Sequence, residues 1–130
     1  MIVVDASVLA NVVGDDGADG QRSRRELRAA SDLSAPDLVD VETVAVLRKR
    51  WIAGTITARR FSAAIGDLEA MALERYPTLA LMRRAYELRA NVTAYDATYI
   101  ALAEALQCEL LTADNRLANA PSTRCVIRVI

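Results

Sequence analysis

The chain has 130 residues, 53% of them apolar and 25% charged, with a formal net charge of −1. That is the size of one compact domain able to bury a real core, and the composition excludes a disordered chain. No apolar run reaches the ~18 residues of a membrane span and no basic-then-apolar leader opens the sequence, so a cytoplasmic location without a membrane partner is expected.

Met1 to Val4 is a β-branched run that ends at Asp5 and reads as a buried strand. Ser7 is placed to cap a helix through Val8–Val13, and Gly14 to Gly20, with three aspartates, reads as a loop. Its glycines follow a helix, so they do not form the phosphate-binding G-x-G-x-x-G turn. Gln21 to Ala30 is a polar, arginine-rich helix. Leu33–Ala35 predicts a short strand, with Pro36 at a helix start.

The helix expected from about Asp37 to Ile52 places Leu38, Val41, Ala45, Val46 and Ile52 on one side at 100° per residue. Glu42 falls among them, whereas Asp40 points away. Gly54 ends this helix and Thr57 caps the next, which runs to about Glu69. Ala72–Tyr76 predicts a strand, Thr78–Leu88 a helix, and Thr93 caps an almost wholly apolar helix, Ala94–Leu106. Glu109–Thr112 is a core strand, Asp114–Asn119 a short helix or turn, and Val126–Ile130 a last strand. Alternating strands and helices imply one α/β domain over 1–130, a central mostly parallel sheet with helices on both faces. Sites in such sheets lie beyond the carboxyl ends of the strands, where Asp5 and Asp114 fall.

Histidine is absent, and fifteen of the sixteen basic residues are arginine, leaving Lys49 as the lone lysine. Catalysis would therefore rest on carboxylates, hydroxyls, arginines or that lysine. Cys108 and Cys125 are far apart in sequence and match no zinc or redox spacing, which reads as buried thiols in a reducing compartment. Four acids remain to be explained: Asp5, Glu42, Asp96 and Asp114. Asp5 suits either a helix start or a site. Glu42 on a core-facing stripe needs an arginine partner or a functional reason. Thr93-x-x-Asp96 fits a capping box, and Asp114-Asn115 fits a turn. Gathered together, such acids repel. At about 4 Å and an effective dielectric near 20, each like-charged pair costs roughly 4 kcal/mol, which raised pKa values or bound cations relieve.

The surroundings of these acids are specific. Asp5-Ala6-Ser7-Val8-Leu9 after the opening strand resembles the first motif of PIN-domain ribonucleases, and Ala35-Pro36 followed by Glu42 resembles the second. Thr93-Ala94-Tyr95-Asp96-Ala97-Thr98-Tyr99-Ile100-Ala101-Leu102-Ala103 is similar to the third, and Leu111-Thr112-Ala113-Asp114-Asn115-Arg116-Leu117 to the fourth. Order, spacing and length look most like the VapC-type toxins of bacterial toxin–antitoxin pairs, over essentially the whole chain.

The resemblance implies a three-layer PIN-like fold and an endoribonuclease dependent on Mg²⁺ or Mn²⁺. It also implies a homodimer that cuts structured RNA (transfer or ribosomal) and is silenced by a cognate VapB-type antitoxin. Asp5, Glu42, Asp96 and Asp114 carry over as the catalytic acids. Asp5, Asp96 and Asp114 are the expected metal ligands, with Glu42 acting through water, and Ser7 and Thr112 support them. Arg22, Arg24, Arg25, Arg28, Arg48, Lys49 and Arg50 are candidates for a basic RNA-binding rim, or for a merely solvated face. A phosphotransfer receiver domain would need a lysine at a late strand end, and a dehalogenase-like phosphatase an aspartate where Ser7 stands. The alternative that remains is a catalytically silent PIN-like module that binds RNA or protein.

Overall fold

Ile2, Val3 and Val4 build strand β1 (Ile2–Val4), buried at every position because neighbours cover both its edges and both its faces. The computed structural model describes residues 1–130. After β1 come α1 (Ala6–Gly14), α2 (Ala18–Ala29), β2 (Leu33–Pro36), α3 (Val39–Ile52) and α4 (Ala58–Ala70). Then follow β3 (Glu74–Tyr76), α5 (Met82–Glu87), α6 (Ala94–Leu106), β4 (Glu109–Thr112) and β5 (Ile127–Val129), with 3-10 turns at Leu79–Leu81 and Asn115–Leu117.

The strands form one sheet in the order β3-β2-β1-β4-β5, and every neighbouring pair is parallel. The strand order reverses between β1 and β4, whose register runs Ile2↔Glu109, Val3↔Leu110, Val4↔Leu111. Ligand crevices of open α/β sheets form at that kind of switch point. Helix α6 packs on β1, β2 and β4 with α5 against it, while α1 packs on β4 and carries α2, α3 and α4. The expected α/β sheet with helices on both faces is what forms, parallel throughout.

Several local expectations change. Asp5, rather than Ser7, is the N-cap of α1, its carboxylate accepting from Val8 N at 3.2 Å. The Gly14–Gly20 loop shrinks to residues 15–17. Arg24 donates to the carbonyls of Val12 and Asp15 at 3.0 and 2.8 Å, satisfying groups that a helix end leaves free. Gly20 is required there, since a Cβ on it would lie 1.8 Å from the Asp15 carbonyl oxygen. Pro36 closes β2 opposite Tyr76 instead of opening a helix, and Asp37 N supplies the next donor, to Tyr76 O at 2.8 Å.

The largest correction concerns α3. Its buried stripe is Val39, Thr43 and Leu47, with Leu38 and Val46 half-buried and Val41, Ala45 and Ile52 exposed. Two apolar stripes run along this helix, and periodicity alone does not choose between them. Close approach to α1 decides: a Cβ on Gly14 would lie 2.4 Å from Leu47 Cδ2. Glu42 consequently sits at the border of the core, half-buried. Asp40 forms a two-pronged ion pair with Arg75 at 2.7 and 3.0 Å.

Candidate active site

Asp5 emerges from the carboxyl end of β1, 6% exposed, and both its oxygens are held. Ser7 Oγ donates to Oδ1 at 2.5 Å, and Thr112 Oγ1 donates to Oδ2. Each hydroxyl in turn accepts from the loop that leaves β4: Ser7 from Ala113 N at 2.9 Å and Thr112 from Asp114 N at 3.0 Å. The segments after β1 and β4 are thus stitched through one carboxylate. An ionised carboxylate offers about four lone-pair sites. Ser7, Thr112 and Val8 N take three, and one remains for a ligand.

Glu42 reaches the same rim from α3. Its Oε1 accepts from the hydroxyl of Tyr99 at 3.2 Å, and Tyr99 is 1% exposed. Asp96 stands in the first turn of α6, one helical turn before Tyr99. Thr93 Oγ1 accepts from Asp96 N at 3.2 Å, so Thr93 caps the helix as expected. The reciprocal half of a capping box is not made, which leaves the Asp96 carboxylate out of the backbone ladder. Asp114 caps the 3-10 turn after β4 and is gripped by Arg116 through contacts of 2.6 to 3.1 Å.

Burial pushes Asp5 up, against the hydrogen bonds from Ser7, Thr112 and Val8, and the charge of Asp96 adds to the rise. Glu42 is pushed up to about 6, first by burial, with Asp96 and Asp5 adding repulsion and the Tyr99 hydroxyl opposing. Asp96 is raised by burial and by Asp114, against Thr93 and Arg116. Asp114 alone is held down, by its hydrogen bonds to Arg116. The four acids therefore feel one another, although no three of them lie close enough to share a single ion as the side chains stand.

The sequence matches the PIN domain family over residues 2–122. It is 42% identical to the VapC ribonuclease Mb0985 of Mycobacterium bovis over 130 residues, covering 100% of this chain and 98% of that protein. Ribonuclease VapC1 of Mycobacterium tuberculosis is 37% identical over 129 residues, covering 98% and 96%. The fold superposes on the crystal structure of Mycobacterium tuberculosis VapC20, a sarcin–ricin loop cleaving toxin, with a TM-score of 0.72 at 19% identity, covering 95% and 99%. The chain belongs to the PIN-domain family of VapC ribonucleases.

In this PIN domain Tyr99 is the site residue that sequence reasoning passed over. Its spacing of three from Asp96 puts both on one helical face, a signal hidden by the apolar character of α6. Two of the arginines chosen for a basic rim have backbone duties. Arg24 holds the end of α1, and Arg50 donates to Ala10 O at 3.2 Å and to Asn11 Oδ1 at 2.7 Å. Arg22 pairs with Asp19, while Arg25, Arg28, Arg48 and Lys49 stay exposed. A polar cavity of about 470 Å³ beside Ser7 is lined by Asn11, Arg22, Arg50 and Asn115.

The raised carboxyl of Glu42 predicts a gain on neutralising it. A folded pKa of about 6 against an ordinary 4.5 means the native state binds this proton more tightly than the unfolded chain. The stability it contributes is present below pH 4.5 and is lost as pH rises through 6. Glu42→Gln keeps an acceptor for Tyr99 and removes that loss. The shift corresponds to roughly 2 kcal/mol, discounted to about 1 kcal/mol for a half-exposed group. Metal-free Glu42→Gln protein should melt roughly 3–5 °C above wild type at pH 7.5 and level with it at pH 4, by calorimetry.

Proposed function

We propose that this protein is a Mg²⁺- or Mn²⁺-dependent endoribonuclease, the toxin of a toxin–antitoxin pair, acting on structured RNA such as transfer or ribosomal RNA. The observation that carries the reading is the convergence of Asp5, Glu42 and Asp96 at the β1/β4 switch point, with all three carboxyls raised by burial and by neighbouring acids. The donor set is oxygen only, which suits hard cations. Mg²⁺ is commonly held by one or two carboxylates, with waters and substrate phosphate completing its shell, so wider spacing of the acids fits it. Asp5, Asp96 and Asp114 would hold the ion directly or through water, and Glu42 through water. Such an ion polarises a scissile phosphate and lowers the pKa of an attacking water.

The residues around it have their own tasks. Ser7 and Thr112 fix both oxygens of Asp5, so the carboxylate is oriented before any ligand arrives. Glu42, its carboxyl pushed up to about 6 by burial and by Asp96 and Asp5, would take a proton from water, and the Tyr99 hydroxyl holds its Oε1 in place. Arg116 must release Asp114. Its side chain is 87% exposed, so water screens the pair and competes for the guanidinium. Arg22 and Arg50, beside the polar cavity, and the exposed Arg25 and Arg48 would take the flanking phosphates.

A histidine-driven attack by the 2′-hydroxyl is excluded, and the proposal has water attack the phosphate directly. The products expected are a 5′-phosphate and a 3′-hydroxyl. A homodimer and silencing by a VapB-type antitoxin belong to the same proposal. The test is induced expression of wild type and Asp5→Ala in a bacterium, mapping new RNA 5′ ends. Discrete 5′-phosphate ends lost in the variant support the nuclease. Ends bearing a 5′-hydroxyl would refute the water mechanism, and no new ends from folded protein would favour a silent binding module.

A further inference from the structure

We propose that Cys108 and Cys125 form a reversible intramolecular disulfide, an oxidation site that closes a covalent ring over residues 108–125. Sequence separation hides the pair, and strand register reveals it. β4 and β5 run parallel with Leu110↔Ile127, Leu111↔Arg128 and Thr112↔Val129, a constant offset of 17 positions (110 to 127). Both cysteines lie just before their strands, which begin at Glu109 and Ile127, and the same offset carried two residues back would bring Cys108 opposite Cys125. The ladder is still bonded towards that end, with Leu110 N donating to Val126 O at 2.9 Å.

Neighbouring strands lie about 4.8 Å apart, within the roughly 4.4–6.8 Å that a disulfide spans between Cα atoms. Directly opposed residues of a parallel pair present their side chains on the same face, and both cysteines do line one cavity. That cavity, about 770 Å³, is also bordered by Arg84, Glu104 and Arg124. Both thiols are free and half-buried. The cavity is large enough to admit a small disulfide.

The oxidant required is a low-molecular-weight disulfide, RSSR. One cysteine thiolate attacks a sulfur of RSSR, forming a mixed disulfide and expelling RS⁻. The second thiolate attacks the protein sulfur of that bond, forming Cys108–Cys125 and expelling the other RS⁻. Two electrons pass to RSSR, and the two thiol protons end on two RSH. Burial raises both thiols, Cys125 to about 11, so the exchange is slow and answers sustained oxidation.

The ring encloses Thr112 and Asp114, and it ties the edge strand β5 to β4. A closed loop of this size restricts the unfolded chain, so oxidation should raise the melting temperature by roughly 5–10 °C, reversibly with dithiothreitol.

Reduced full-length protein incubated with oxidised glutathione tests this, by intact mass and non-reducing peptide mapping. The result expected is a mass decrease of about 2 Da with the Cys108 and Cys125 peptides linked. Cys125→Ser should instead keep one glutathione on Cys108. Stable glutathione adducts at both wild-type cysteines, intermolecular dimers, or unreacted thiols where the unfolded protein oxidises fully would each overturn the proposal. Mass is read rather than RNA cleavage, so the outcome is independent of the nuclease reading.

Discussion

Replacing Asp5 by asparagine is expected to reduce RNA cleavage by roughly 10³-fold or more while leaving the protein folded, because residues acting as one unit fail together. Asn keeps an oxygen for Val8 N and Ser7 Oγ, and it caps a helix about as well as Asp. What it loses is the charge and the second acceptor, where the Thr112 hydroxyl now meets an amide. That hydroxyl already accepts from Asp114 N, so the Asp5→Asn change also loosens the loop that presents Asp114. Removing a buried carboxylate whose proton affinity is raised by desolvation offsets part of this loss at neutral pH.

Ser7→Ala and Thr112→Ala leave the charge in place and disturb only its orientation. For them a loss of about 10- to 100-fold is expected, the range seen when the groups supporting a ligand are removed. The measurement is single-turnover cleavage of an RNA identified by end mapping, with circular dichroism as the folding control. An Asp5→Asn protein within tenfold of wild type would remove Asp5, and with it this rim of the sheet, from the chemistry.

How much of this was readable beforehand depends on whether a feature is local. β1 announced itself through three β-branched residues, and the Thr93 cap and the Ala94–Leu106 helix emerged as written. The acids at strand ends were placed correctly because a parallel sheet fixes where a strand's carboxyl end lies. The face of α3 was not legible: Val39-Thr43-Leu47 and Leu38-Val41-Ala45 are both helical stripes, and the contact of Leu47 with Gly14 selects between them. The Tyr99–Glu42 bond joins positions 57 apart, and the Cys108–Cys125 alignment depends on a strand register that no local pattern encodes. Ser7 was recognised as a hydroxyl near a helix start. Its function as a bridge from Asp5 to Ala113 N follows only once β4 lies beside β1.

Chelating divalent ions is expected to stop cleavage and to weaken RNA binding by about tenfold, since each uncompensated acid at the rim repels phosphate. The same ions should stabilise the fold in a pH-dependent way. Asp5, Glu42 and Asp96 all have raised proton affinity in the native state, so metal-free protein loses stability as pH rises from about 4.5 through the titration of Glu42 near 6. A bound cation replaces the missing protons. At 100 times its dissociation constant it adds about 2.7 kcal/mol, on the order of 10 °C for a domain of this size. At pH 4 Glu42 is largely protonated, Asp5 and Asp96 are shifted the same way, and the gain should shrink. Calorimetry with and without Mn²⁺ at pH 4 and 7.5 reads the stability, and filter binding in EDTA at matched ionic strength reads the RNA affinity. Asp5→Asn supplies the internal control, because it should lose most of the Mn²⁺-dependent gain at pH 7.5. Equal RNA affinity with and without metal, together with a melting temperature indifferent to millimolar Mn²⁺, would leave the acids as a structural cluster and the protein as a binding module.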